Sequence, residues 1–162
     1  MAAPSGAYTL IRAAVTTSTA ITINQVLVPT VTAAEVTRAW CNQSTVTTTN
    51  QTRIQLNRCA TAGTVTSQAA TPAQNGMQAS KCVNGTSATG ITATIEPGTA
   101  NTWWSEGFNI VNGILYLPVP EARMLIVGAA SGTGTPLITL KFPSAPASAD
   151  YTSAIEWLEF AN

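Results

Sequence analysis

Apolar and polar residues alternate along much of this chain with the period of two that a half-buried β-strand requires. In AITINQVLV, Ile21 and Ile23, then Val26 and Val28, are placed to face inward, with Thr22 and Asn24 outward. EVTRAWCN sets Val36, Arg38 and Trp40 on one face and Thr37, Ala39 and Cys41 on the other. TRIQLNR alternates Ile54 and Leu56 with Arg53, Gln55 and Asn57. Further runs lie at 90–96, 113–119, 122–128, 136–142 and 151–160, and AYTLIRAAV opens the series, so eight or nine strands are predicted. Thr, Val and Ile dominate, and their branched side chains suit strands better than helices. The last run, YTSAIEWLEF, sets Ile155, Trp157 and Glu159 against Glu156, Leu158 and Phe160. A strand with apolar side chains on both faces is buried on both sides or meets a neighbouring subunit.

Many short strands joined by Gly, Pro, Asn and Ser predict an all-β chain: a single antiparallel β-sandwich domain over 1–162, jelly-roll-like in its strand number. Asn112-Gly113 suits a tight turn with positive φ, and Pro118 and Pro120 place a strand end at a sheet edge. Residues 1–6 read as a flexible N-terminal arm. From 61 to 101, small and polar residues crowd together with few bulky apolar anchors, which predicts a loop excursion with one hairpin near 88–96. The glycine-rich stretch at 128–134 lacks the lysine and spacing of a phosphate-binding loop and reads as a turn.

Composition narrows the function. With 162 residues the chain can bury a real core without disulfides. Only 9% of residues are charged, 7 basic against 7 acidic, where about 25% is usual. So few cations cannot build a basic patch, which argues against nucleic-acid binding. No run approaches the ~18 apolar residues of a membrane span, and the N-terminus lacks the pattern of a secretory leader. Zero net charge gives little colloidal protection, as befits a chain held against other protein surfaces. Cys41, Cys59 and Cys82 fit neither a disulfide framework nor a zinc site. They read as free thiols or, alternatively, as a Cys59–Cys82 bridge closing the excursion. Sequons at Asn42, Asn50 and Asn84 follow from an Asn/Thr-rich composition.

Groups that do chemistry are scarce. The chain has no histidine, which removes the commonest general base and the usual hydrolytic triad. Asp150 is the only aspartate, and the glutamates offer no motif that pairs two of them across a cleft. The expectation is a protein without catalytic residues, cofactor or metal. Trp103-Trp104 stands out: on a strand, adjacent residues face opposite ways, so one indole can enter the core while the other anchors a partner or stacks on a sugar. Arg53, Arg58, Glu121 and Arg123 are candidates for intersubunit ion pairs, or else are ordinary edge charges. Tyr116 and Trp157 complete the set of candidate interface residues.

Four stretches, AYTLIRAAVTTSTAITINQVLVP, TRAWCNQSTVTTTNQTRIQLNR, EGFNIVNGILYLPVPEARMLIV and LITLKFPSAPASADYTSAIEWLEF, together resemble small structural proteins of tailed bacteriophages. Within that group the chain is most similar to capsid decoration (cement) proteins with a β-sandwich or jelly-roll fold. The resemblance covers about three-quarters of the chain and leaves out 61–101. It implies a virion protein assembled in the bacterial cytoplasm, seated on the outside of the major capsid protein shell and stabilising it, as a homo-oligomer with a trimer favoured. The competing expectations are a head- or tail-mounted adhesin that holds host glycan through 61–104 and Trp104, or another tail or baseplate component.

Overall fold

A computed structural model describes residues 4–45, 49–128 and 136–161. The first three residues of the expected N-terminal arm and most of the glycine-rich stretch at 128–134 lie outside the described residues. Twelve strands occur among the described residues: β1 (Pro4–Thr17), β2 (Ile21–Leu27), β3 (Thr32–Gln43), β4 (Gln51–Thr61), β5 (Thr64–Ser67), β6 (Thr71–Pro72), β7 (Gly90–Ile95), β8 (Gly98–Asn109), β9 (Ile114–Tyr116), β10 (Leu125–Val127), β11 (Leu137–Phe142) and β12 (Ala149–Ala161). A single 3₁₀ turn, Pro120–Ala122, separates β9 from β10. All strand pairs are antiparallel. Sheet A runs β10-β3-β12-β1-β6, with β9 also beside β3, and sheet B runs β5-β7-β2-β11-β4-β8. The fold is the expected all-β sandwich. All nine strands read from alternation are present, while β5, β6 and β8 were not anticipated.

The main core lies between the sheets. Leu10, Tyr8, Ile155 and Trp157 from sheet A meet Ile23, Val26, Ile54, Leu56, Ile138, Leu140 and Phe142 from sheet B. The sequence pattern of β3 is corrected at one point. A register shift between Arg38↔Glu156 and Val36↔Trp157 inserts Thr37 as an extra residue. Val36 therefore joins Ala39 and Cys41 in the core, while Arg38 and Trp40 turn to the outer face. A bulge changes the phase of alternation, which a strict period of two cannot register.

Two expectations about loops are also revised. Pro4, Ser5 and Gly6 are not a free arm but the start of β1, with Pro4 beside Phe160 and Gly6 beside Glu159. The 61–101 segment is built into both sheets. Three strands lie between β4 and β5 in sheet B, a gap of roughly 19 Å in a flat sheet. Yet only Ala62 and Gly63 link them, a reach of about 11 Å at most. The paired strands β4 and β8 therefore bend and continue as β5 and β7 over the outer face of sheet B. Gln25 pins the bend: its side-chain amide donates to the Gly63 carbonyl at 3.3 Å and its oxygen accepts the Gly63 N–H at 3.0 Å. Gly63 has no room for a side chain, because a Cβ would lie 2.3 Å from the Ile95 carbonyl oxygen. Cys59, Leu137 and Thr139 are buried on this outer face, away from the main core.

Glu96 ties the same bend to β2 and β11. Its carboxylate accepts the Thr22 N–H and hydroxyl, each at 2.8 Å, and pairs with Lys141 Nζ at 2.8 Å. Burial pushes this carboxyl up, but the bonds from Lys141 and Thr22 outweigh burial and leave it below its ordinary value. A folded-state value below the unfolded one contributes stability above about pH 4.3, lost as pH falls through the folded value. Glu96→Gln is therefore expected to flatten the acid side of a plot of thermal midpoint against pH, relative to the parent protein.

Between β5 and β7 the chain crosses to sheet A, pairs Pro72 with Tyr8 and closes over the end of the core. Tyr8 Oη donates to the Gln78 carbonyl at 3.1 Å. The fully buried Glu159 carboxylate accepts from Ser80 Oγ, from the Lys81 N–H at 3.0 Å and from Trp157 Nε1 at 3.0 Å. The Cys59–Cys82 bridge is ruled out: all three cysteines are free and buried, Cys59 on the outer face of sheet B and Cys82 beside Glu159 in the main core.

Candidate interaction surface

The outer face of sheet A carries more apolar surface than an ordinary solvent face. Strand register sets its rows. Leu115, Trp40, Ala154 and Ile11 lie side by side across β9, β3, β12 and β1. Two rows further on, Leu125, Glu35, Leu158 and Ala7 follow across β10, β3, β12 and β1, and then Val127, Ala33 and Phe160. Ile11, Leu115, Leu125 and Val127 are between 42% and 53% exposed. Leu117 and Val119, in the link after β9, are more than 60% exposed. Exposed apolar side chains grouped on one face in this way, though crossed by the Thr9, Glu156 and Arg38 row, are a feature of contact surfaces.

Four charges on this face pair within the chain, and Asp150, at the far end of β12, is held by the Thr16 hydroxyl. Arg38 grips Glu156 across the strands through Nε, at 2.9 Å, and Nη2. The hydrogen bond and charge of Glu156 push the Arg38 guanidinium up from its ordinary value. Arg123 Nη1 pairs with Glu35 at 2.9 Å. A partner therefore meets flat apolar rows crossed by paired charges instead of a net potential. Trp40, half-buried, forms a ridge between two shallow depressions. One, of about 500 Å³, is lined by Asn42, Asn112, Gly113 and Leu115, and the other, of about 290 Å³, by Thr9, Ile11, Ala73 and Glu156. Both are open and shallow, suited to side chains of a facing protein more than to an enclosed small molecule.

The residues singled out from sequence are distributed differently from expectation. Trp157 is 1% exposed and packs on Tyr8, with ring centroids 6.2 Å apart, so it belongs to the core and presents nothing to a partner. Tyr116 is also buried, and both tryptophans of β8 converge on it. Trp104 contacts the Tyr116 ring at 5.2 Å, while Trp103 Nε1 donates to Tyr116 Oη at 3.0 Å and that hydroxyl donates to the Ala122 carbonyl at 3.3 Å. Strict alternation would send adjacent indoles to opposite faces. The register shift between Leu56↔Trp104 and Asn57↔Thr102 makes Trp103 an extra residue and lets both reach one tyrosine. Trp103 remains 52% exposed. Arg123 is paired within the chain, Glu121 is exposed on the 3₁₀ turn, and Arg53 and Arg58 are exposed on β4. Ile11, Arg38, Trp40 and Leu115 were not recognised as surface candidates. The apolar side chains on both faces of β12 and of residues 114–119 were the signals that pointed to this face.

The chemistry open to the chain follows from the same geometry. Burial pushes the Cys41 thiol up to about 12, against the nearby Arg12 charge, and it also raises Cys59 and Cys82. These thiols stay protonated at neutral pH and are poor nucleophiles. Among the described residues, no group of three His, Cys, Asp or Glu side chains is placed to hold a metal ion. In comparisons with known proteins, no family model matches the chain, and neither a curated protein nor a solved structure matches it.

Proposed function

We propose that this chain belongs to the class of structural proteins that work by adhering to another protein surface. The observation that carries this reading is the outer face of sheet A, with its exposed aliphatic rows and its charges paired within the chain. Within that class, the particular role is capsid decoration: the protein sits on the outside of a tailed-bacteriophage shell and stabilises it. That step rests on the resemblance of four sequence stretches to cement proteins. A protein that binds only the assembled shell stabilises it by its binding free energy, and a repeating lattice multiplies contacts that are individually modest.

Electron microscopy of the virion tests the reading. Density for the sandwich at regular lattice positions, with sheet A toward the shell, is the expected result, and density confined to the tail overturns it. In a reconstitution assay with undecorated shells, Trp40→Glu is expected to cut occupancy by about tenfold or more, the loss of a central aromatic contact. Loss of host-cell binding by Trp103→Ala, with shell occupancy of the parent protein absent, would instead favour the glycan-binding adhesin.

A further inference from the structure

The free edge of sheet B supports an inference that does not depend on the decoration role. β8 is the outermost strand of that sheet, and β4 pairs one of its flanks from Gly98 to Asn109. Its other flank has no backbone partner among the described residues. The terminal strands at the other edges are short, four residues in β5, two in β6, and three each in β9 and β10, and β6 covers β1 only at Tyr8 and Thr9. β8 is twelve residues long. Exposed edges are usually blunted by lysine, proline or clustered charge, but residues 98–109 contain no Lys, no Pro and one charge, Glu106. A row of unpaired N–H and C=O groups is recognised by another extended backbone.

The bulge at Trp103 indicates whose backbone it is. Ala100 and Thr102 lie beside Cys59 and Asn57, while Ser105 and Gly107 lie beside Gln55 and Arg53, all on the outer face. Without the extra residue, Thr102 and Ser105 would face opposite ways. A second β8 laid antiparallel, with a two-fold axis between Trp103 and Trp104, sets Thr102 against Ser105 of the second copy and Ala100 against its Gly107. Asn101 then meets Glu106 of the second copy. Each pair shares a face, because the two-fold matches the half before one bulge with the half after the other.

Charges agree with this register. Arg58 lies beside Asn101 on β4, on the face it shares with Ile54 and Leu56. Glu106 lies beside Ile54, on the same face. In the paired sheet, Arg58 stands two strands from Glu106 of the second copy, about 10 Å between backbones, a span that an arginine and a glutamate side chain bridge. The contact occurs twice by symmetry. Within one chain the two residues are four ladder positions apart, roughly 13 Å along the strand, and neither takes part in an ion pair among the described residues. The exposed Trp103 indole sits at the axis, where aromatic anchors contribute most.

We infer that two copies of this chain associate through β8, about a two-fold axis at Trp103 and Trp104, into a continuous β4-β8-β8-β4 sheet with reciprocal Arg58–Glu106 pairs. The resemblance leads to a trimer, and sedimentation equilibrium of the full chain separates the two. The expected mass is that of two chains. Arg58→Glu and Glu106→Arg are each expected to weaken self-association by about tenfold or more, and the double exchange is expected to recover most of it. A monomer at all micromolar concentrations, a trimer, or a double exchange no better than the single ones overturns the inference. If a variant fails to fold by circular dichroism, hydrogen exchange of the parent protein decides. Protection of amides 98–109 must rise with protein concentration, and concentration-independent exchange there overturns the pairing.

Discussion

Replacing Arg12 with alanine is expected to lower the unfolding free energy by roughly 3 kcal/mol or more, one of the largest effects any single change should have in this chain. Arg12 lies on the inner face of β1 and is completely buried, with no carboxylate among its hydrogen-bond partners. The guanidinium is satisfied by neutral oxygens instead. Its Nε donates to Thr92 Oγ1 at 2.8 Å, Nη2 to Thr17 Oγ1 at 2.7 Å, and Nη1 to the Tyr151 carbonyl at 3.0 Å and the Val15 carbonyl at 3.4 Å. Burial pulls its pKa down and the neighbouring Cys41 raises it. Truncation leaves a void together with buried acceptors that have lost a charged donor. Arg12→Met refills most of the volume but restores no donor, so it should recover only the packing part of the loss. Equal destabilisation by Ala and Met in urea unfolding would mean that packing contributes little, and a neutral Arg12→Ala would contradict the buried network.

Trp157→Ala should be comparably severe, costing about 3–5 kcal/mol and lowering the thermal midpoint by about 10 °C or more. Among the described residues, Trp157 is the largest fully buried side chain, packed in the core beside Tyr8 with the two rings tilted by 33°. It also donates to Glu159, the carboxylate that holds Ser80 and the Lys81 N–H. The substitution therefore opens a cavity and loosens the segment that closes the end of the sandwich. Trp157→Phe keeps most of the packing and removes only the donor. It should cost less in thermal melts while still raising proteolytic nicking around residues 78–82. If Trp157→Phe leaves nicking at the parent rate, the indole N–H has no part in holding that segment.

Much of the architecture was legible because the long strands obey simple alternation. β4 and β12 bury one face against the opposite sheet, so their sequences carry the period of the pleat. β2 departs from it, because a register shift against β11 turns Asn24, expected outward, into the interior. There Asn24 donates to the Leu10 carbonyl and accepts from Ser153 Oγ, and Thr22 is buried against Glu96. β8 was not legible. GTANTWWSEGFN lies at an edge, exposed along most of its length, and is held mainly by backbone bonds to β4, so its side chains have no periodic constraint. β5 and β6 are too short to show a period. The apparent excursion at 61–101 looked unanchored because its anchors are polar and distant. Gln25, Glu96 and Glu159 lie tens of residues from several of the groups they hold.

The candidate surface was only partly visible for a related reason. Leu158 and Phe160 on the second face of β12 signalled a covered or contacted surface, but Trp40 was assigned with Val36 because Thr37 shifts the phase of β3. Trp157 and Tyr116, attractive as exposed aromatics, proved to be core. By itself, the sequence determined that the chain is an all-β sandwich with a scarcity of catalytic groups, since composition and alternation are local properties. Only the tertiary structure decided where the bulges fall, which apolar face remains uncovered, that the three thiols stay apart, and that β8 presents a long free edge. Those outcomes depend on register between strands far apart in sequence, and a one-residue shift in register moves every subsequent side chain to the other face.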